Sequence, residues 1–376
     1  MQPEVDTILI IDNSVAVTGA INASLNASFN LKRDFNFIYI LPKNTAAAKL
    51  VQEKGFKLYT LPLIEISKRP KSLLLYLPYL FINALKVKKI AKQNQVRIIH
   101  MNDFYNLTGI IAKILGARVR LITHVRFMPQ RFMPALSKVW SVLNLNYADE
   151  IICVSGAVKS YFRDSAKIRI IPDPVPQLEK HAEKEVKVET REIEFLYLSN
   201  FIPGKGQDFA LQAFSRAYGI NKNLRLLFAG GDMGLEKNKQ FRQQLEEKIA
   251  RLGLSGVVRF ESFITDVEKK IKEADIVLNF SESESFSLTC LDALFYGTPL
   301  IATDCGGPAE LFENGISGIL VPNKNVDAMA EAMVTLASNF ELRRAFSRNG
   351  KLYVRRKFNP QNTYLNMAEV YKRIAH

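Results

Sequence analysis

Short apolar runs rich in β-branched residues alternate along this chain with longer amphipathic or polar stretches. In the first half the runs are TILIID (7–12), NFIYILP (36–42), FKLYTLP (56–62), VRIIHMN (96–102), VRLITHV (119–125) and EIICVS (150–155). In the second half they are EFLYLSN (194–200), LRLLFAGG (224–231), VVRFESF (257–263), ADIVLNF (274–280), TPLIATD (298–304) and SGILVP (317–322). Each is short and has no polar face, which predicts strands buried on both sides of a parallel sheet and joined in βαβ units. Helices are predicted over 207–218, 237–252, 265–273, 288–296 and 325–338. Between the two sets, IPDPVPQLEKHAEKEVKVETRE (171–192) carries three prolines and then mixed charge, and reads as a linker.

A chain of 376 residues exceeds the usual limit for one hydrophobic core. The expected architecture is therefore α/β, with two doubly wound Rossmann-like domains, 1–170 and 193–355, facing each other across a cleft. Polar residues and glycines at the strand ends fall where open α/β sheets bind ligands. The three cysteines, Cys153, Cys290 and Cys305, are scattered and suit a reducing, cytoplasmic setting. The acidic start MQPEVDTILIID runs straight into a strand pattern, unlike a secretory signal.

Charge is strongly asymmetric. Residues 1–170 hold 24 Lys and Arg against 10 Asp and Glu, whereas 171–376 hold 27 of each. The first half is thus expected to attract anions: phosphates, acidic glycans or an anionic membrane. Nucleic acid is not expected, because no RNA- or DNA-binding motif accompanies the lysines.

The stretch SESESFSLTCLDALFYGTP (281–299) carries the chemistry. It follows a strand-like IVLNF, and Ser287, Gly297 and Pro299 predict the N-cap, the end and the stop of a helix. A helix opening there offers free N–H groups and a partial positive charge to a phosphate. Glu284 stands at its mouth. Asp292, eight residues on, can turn its carboxylate towards the same ligand.

This segment resembles the E-x7-E signature of the retaining family 4 glycosyltransferases, which have the GT-B fold. Other stretches resemble that family in the same order: NFIPGKGQD (200–208), the glycine turn LFAGGDMG (227–234), TDCGGPAELFENGISGILV (303–321), the histidine strand ITHVR (122–126), and SVAVTGA (14–20) at the first glycine loop. The resemblance implies transfer of a hexose-type sugar from a nucleotide-sugar donor, UDP-sugar foremost, to a glycan or lipid-linked acceptor. It implies catalytic roles for His124, Glu284 and Lys205. Donor binding falls to Gly19, Asn200, Lys205, Gly230, Glu284, Phe286, Ser287, Leu288 and Asp292, and residues 356–376 to a helix returning towards the N-terminal domain. With no Asp-x-Asp pair or histidine cluster, neither metal nor other cofactor is expected.

The chain departs from the family pattern at three places. Asp292 stands for a second Glu, and Asn200 for an arginine. Ser285 and Ser287 replace glycines, which predicts ordinary φ values for the loop. A relative that binds donor without turnover, and an epimerase of the same fold, therefore stay open. Between 57 and 97, basic residues face only Glu65, with Leu, Tyr, Phe and Ile interleaved. Either a helix packs its apolar side on the sheet here, or the segment touches an anionic membrane. SLLLYLPYLFINAL (72–85) is too short to span a bilayer, and Pro78 is expected to interrupt it.

Overall fold

The computed structural model describes residues 5–64, 70–176, 192–262, 264 and 266–375, with backbone alone for 70–74. Most of the expected linker, residues 177–191, lies outside this range, as do Glu65, Phe263 and Thr265. The chain divides into two compact units, Met1–Asp173 with Gln361–His376, and Pro174–Pro360.

The first unit holds strands β1 (Thr7–Ile11), β2 (Asn36–Pro42), β3 (Lys57–Leu61), β4 (Val96–Met101), β5 (Arg120–Val125), β6 (Glu150–Cys153) and β7 (Ile168–Ile170). They form one parallel sheet in the order β3-β2-β1-β4-β5-β6-β7. Its helices are α1 (Gly19–Leu31), α2 (Ala47–Glu53), α3 (Pro70–Gln93), α4 (Thr108–Ile114), α5 (Pro134–Tyr147) and α6 (Gly156–Lys159). α3 continues through Pro78, which the sequence pattern makes an interruption. A proline removes one ladder bond, and packing along the rest of the 24-residue helix outweighs that loss.

The second unit holds β8 (Ile193–Leu198), α7 (Gln207–Ile220), β9 (Leu224–Ala229), α8 (Glu236–Arg251), β10 (Val258–Glu261), α9 (Val267–Glu273), β11 (Ile276–Asn279) and α10 (Leu288–Tyr296). It continues with β12 (Leu300–Asp304), β13 (Ile319–Pro322), α11 (Val326–Ser338) and α12 (Phe340–Lys357). Its parallel sheet runs β10-β9-β8-β11-β12-β13. Both sheets reverse direction beside their first strand, between β1 and β4 and between β8 and β11. In such sheets the carboxyl ends at the reversal form the crevice that receives ligands.

A last helix, α13 (Pro360–Ala375), belongs to the first unit. It buries Met367, Val370 and Tyr371 against Ile8, Ile10, Ile98, Ile122 and Ile152 of the sheet and Ile21, Leu25 and Val51 of the flanking helices. Tyr371 stands edge-on to Phe35 at 5.2 Å and Phe37 at 6.1 Å. Edge-to-face rings add about 1 kcal/mol per pair beyond the area they bury. The three cysteines are free and buried.

Candidate functional site

In the second unit three strand ends interlock. Tyr197, near the end of β8, donates its hydroxyl to the Lys205 carbonyl at 2.5 Å and accepts the Phe280 amide at 2.8 Å. Glu282 N–H donates to the Gly204 carbonyl at 3.0 Å, so the loop after β8 is stitched to the loop after β11. The loop after β12 closes on the other side. Glu284 N–H donates to the Cys305 carbonyl at 3.1 Å, and Gly307 N–H to the Glu284 carbonyl at 2.8 Å. Gly206 has φ +81°, and a Cβ there would stand 2.0 Å from the Phe280 carbonyl oxygen. Only glycine permits that approach.

On this frame Lys205 Nζ meets Glu284 Oε1 at 2.7 Å, and Ser281 donates its hydroxyl to the same oxygen at 2.8 Å. The lysine and glutamate side chains are 24% and 14% exposed, so the pair sits at a surface rather than in the core. Next comes α10, spanning the predicted 288–296, with Ser287 Oγ accepting the Cys290 amide as N-cap. Ser287 overturns the expectation of ordinary φ, because it adopts φ +81°, in the left-handed region. Two hydrogen bonds hold it there, the cap and one from Asn279 Nδ2 to Ser287 Oγ at 3.0 Å. The backbone amides of Phe286, Ser287 and Leu288 have no acceptor among the described residues. The Phe286 side chain is buried edge-on against Phe358 at 5.6 Å, leaving its amide as the group able to meet a ligand.

Asp292 lies one turn into α10 and is half-buried, with no hydrogen bond or ion pair to a described residue. Burial pushes its carboxyl up to about 7. Asn200 ties two loops together. Its Oδ1 accepts the Gly231 amide at 3.2 Å and its carbonyl accepts Gln207 Nε2 at 2.9 Å. An arginine in its place could not accept from Gly231. Gly230, at φ +156°, lets the glycine turn pass the Ser199 carbonyl, which a Cβ would approach to 2.1 Å.

Gly19 and His124 belong to the first unit. Gly19 is the exposed first residue of α1, next to the N-cap Thr18, and its φ is not in the left-handed region. Helix opening therefore accounts for its place, and its conformation does not demand glycine. His124, at the end of β5, is 1% exposed and stacks on His100 with ring centroids 5.5 Å apart. Both its ring nitrogens are buried without a partner. His100 Nδ1 is held by the Tyr371 hydroxyl at 2.7 Å. Burial, then the neighbouring Arg126, holds His100 down to about 3, and the same causes together with His100 hold His124 well below its usual range.

Motif reasoning does not reveal what surrounds this pair. Arg126 donates from Nε to Asn102 Oδ1 and from one NH group to both Asp173 oxygens, each at 2.7 Å. Asn102 donates in turn to Asp12. Asp103, whose carboxyl burial pushes up to about 7, accepts the Phe104 and Arg126 amides. Acids that follow β1 and β4 are the one signal visible in the sequence; Asp173 lies in the expected linker.

Residues 46–177 match the model of Glycosyltransferase Family 4, and residues 179–353 that of Glycosyl transferases group 1. Each match spans less than half of the chain, and together they make its two parts similar to glycosyltransferases of these two groups. Among curated relatives, an uncharacterized glycosyltransferase of Methanocaldococcus jannaschii is 26% identical over 61% of this chain and 60% of its own length. A D-inositol 3-phosphate glycosyltransferase of Saccharomonospora viridis is 30% identical over 45% of this chain and 40% of its own. An alpha-1,3/1,6-mannosyltransferase of Dictyostelium discoideum is 29% identical over 48% and 46%. The chain thus matches less than two thirds of each of these curated relatives. The fold is that of GT-B glycosyltransferases. HepE of Anabaena, solved with UDP and glucose, superposes with TM-score 0.81 at 19% identity, over 97% of this chain and 99% of that one. Sucrose-phosphate synthase of Thermosynechococcus elongatus gives 0.78 at 17% identity over 98% and 99%.

Proposed function

We propose that this protein is a glycosyltransferase of group 1, a retaining, metal-independent hexosyltransferase. It moves a sugar from a nucleoside-diphosphate donor, UDP-sugar first among candidates, to a hydroxyl of a glycan or lipid-linked acceptor. The observation that carries the reading is that Lys205 is held on Glu284, two residues before Phe286, Ser287 and Leu288, whose amides at the opening of α10 have no acceptor among the described residues. Departure of a nucleoside diphosphate concentrates negative charge on phosphate oxygens. A lysine and a helix N-terminus brought to that charge would stabilise it with little reorganisation.

The remaining roles rest on the resemblance of these stretches to the family 4 pattern. Glu284 accepts hydrogen bonds from donor-sugar hydroxyls with its second oxygen, while Lys205 and Ser281 hold the first. Asp292 accepts from ribose hydroxyls. Transfer with retention follows if the acceptor hydroxyl attacks the anomeric carbon from the side the diphosphate leaves. The C–O bond to phosphate breaks, the new C–O bond forms, and the acceptor proton passes to the departing phosphate oxygen. UDP heads the list because HepE, of the same fold, was solved with UDP-glucose.

A thermal-shift panel of UDP-, GDP-, ADP- and dTDP-sugars tests the donor reading, since a ligand that binds only the folded state raises its melting temperature. One nucleotide class should shift the transition, and proton NMR of the transfer product should show the donor's anomeric configuration. No shift with any donor, or an inverted product, would overturn the assignment.

A further inference from the structure

α3 already has a complete inner face. Leu80, Ala84, Val87 and Ala91 are buried at helical spacing and seat the helix on its unit. Its outward side should then be polar. Instead Leu77 is 68% exposed, Phe81 51%, Ile82 43% and Leu85 46%. Packing therefore explains Leu80 to Ala91 and leaves a second apolar stripe unexplained.

That stripe passes directly into cations. Lys86, Lys89 and Lys92 are exposed on the following turns of the same helix. Leu77, Phe81, Leu85 and Lys89 follow one another at four-residue steps, so they line one side of it. Between Ile66 and Ala148 the chain carries fourteen Lys and Arg, and its lone acid is Asp103, which is buried. α5, which packs on α4, likewise exposes Val139 and Val142, each about half, together with Lys138, and carries no acid.

We infer that the outer face of α3 is a seat for an anionic lipid surface, with Leu77, Phe81, Ile82 and Leu85 entering the headgroup boundary and Lys86, Lys89 and Lys92 meeting lipid phosphates. Exposed apolar side chains rimmed by lysine on an otherwise folded helix are the chemistry of in-plane attachment. No helix among the described residues is long and apolar enough to cross a membrane, so the contact is made from one side. Lysines without an acid on the helix repel a basic partner, and beside exposed apolar side chains they match a surface that offers phosphate and hydrocarbon together, which is that of an anionic lipid layer. The inference goes beyond the proposed transfer reaction and uses none of the donor-loop residues, so either can fail alone.

Sedimentation of the full chain with vesicles is the test. Vesicles containing about one third phosphatidylglycerol should bind it, phosphatidylcholine alone should bind far less, and added salt should release it. The triple change Lys86→Gln, Lys89→Gln, Lys92→Gln should lower partitioning roughly 100-fold, at about a factor of five per lysine. The pair Phe81→Ser, Leu85→Ser should lower it on anionic vesicles as well, with circular dichroism and donor-induced thermal shift unchanged because both side chains lie outside the core. Absence of binding to anionic vesicles, or variants that partition like the parent, would overturn the inference. So would a concentration-dependent dimer that Phe81→Ser dissolves while vesicles leave the protein in solution.

Discussion

Lys205 Nζ lies 2.7 Å from Glu284 Oε1, joining the loop after β8 to the loop after β11 by an ion pair that stands at the surface of its unit. Each group also has a second duty in the proposed chemistry, the lysine towards diphosphate and the glutamate towards sugar hydroxyls. Lys205→Ala should therefore lower kcat/KM at least 100-fold, the usual cost of removing one preorganised donor of charge stabilisation. Glu284→Ala should abolish transfer while nucleotide affinity stays within a few-fold. Calorimetry with the free nucleotide, alongside turnover with the sugar donor, separates the two. Both variants turning over like the parent would remove the site.

Asp292 gives a pH signature. Its carboxyl is raised from the ordinary 3.8 to about 7 by burial, so the folded state holds this proton more tightly than the unfolded chain. That contribution to stability is complete below about pH 4 and is lost as pH rises through 7. Asp292→Asn should therefore raise the melting temperature at pH 8 and make little difference at pH 4. Ribose hydroxyls favour the ionised form, so parent nucleotide affinity should climb between pH 6 and 8, and the Asn variant should bind about 10-fold more weakly without that climb. Titration calorimetry across this range decides it.

His100 predicts the opposite slope. Its folded-state value is depressed from 6.5 to about 3, so the unfolded chain binds the extra proton first. Stability is complete above pH 6.5 and falls as pH drops towards 3. Tyr371→Phe removes the 2.7 Å bond to His100 Nδ1 and leaves a buried nitrogen unpaired, at a cost of about 1–3 kcal/mol. Denaturant melts at pH 7.5 check that loss. His100→Phe should flatten the fall between pH 6.5 and 4.5.

Ser287 opposes two effects at one position. Its left-handed φ costs about 1 kcal/mol and its cap contributes about as much. Ser287→Gly should then change stability by less than about 0.5 kcal/mol, because it relieves the strain while losing the cap. Ser287→Ala keeps the strain, loses the cap, and should cost about 1–2 kcal/mol. Gly206→Ala, which drives a Cβ into the Phe280 carbonyl, should be worse than either. Urea unfolding of the three variants ranks them.

These residues also mark how far the fold and the site were legible in the sequence. α10 begins and ends where Ser287, Gly297 and Pro299 say it should, because caps and stops are local chemistry. The strand runs are equally local, and the unpredicted β7 has only three residues, too few to show a pattern. The backbone of Ser287 was misread because its left-handed turn depends on Asn279 and the cap rather than on residue type. The cluster of Asp12, Asn102, Arg126 and Asp173 stayed hidden because its members come from four separate segments and meet only when the sheet forms. Lys205 and Glu284 were recognised as motif residues, while the bond between them became visible only in three dimensions.

α13 has one further consequence, for the order in which the protein matures. The segment that covers Ile8, Ile98 and Ile122 is translated after all of the second unit. A nascent chain emerging from the ribosome thus carries a first unit whose core lacks Met367, Val370 and Tyr371 until synthesis passes residue 371. Chaperone dependence, and early trapping of chains halted short of Tyr371, are the expected symptoms of that delay.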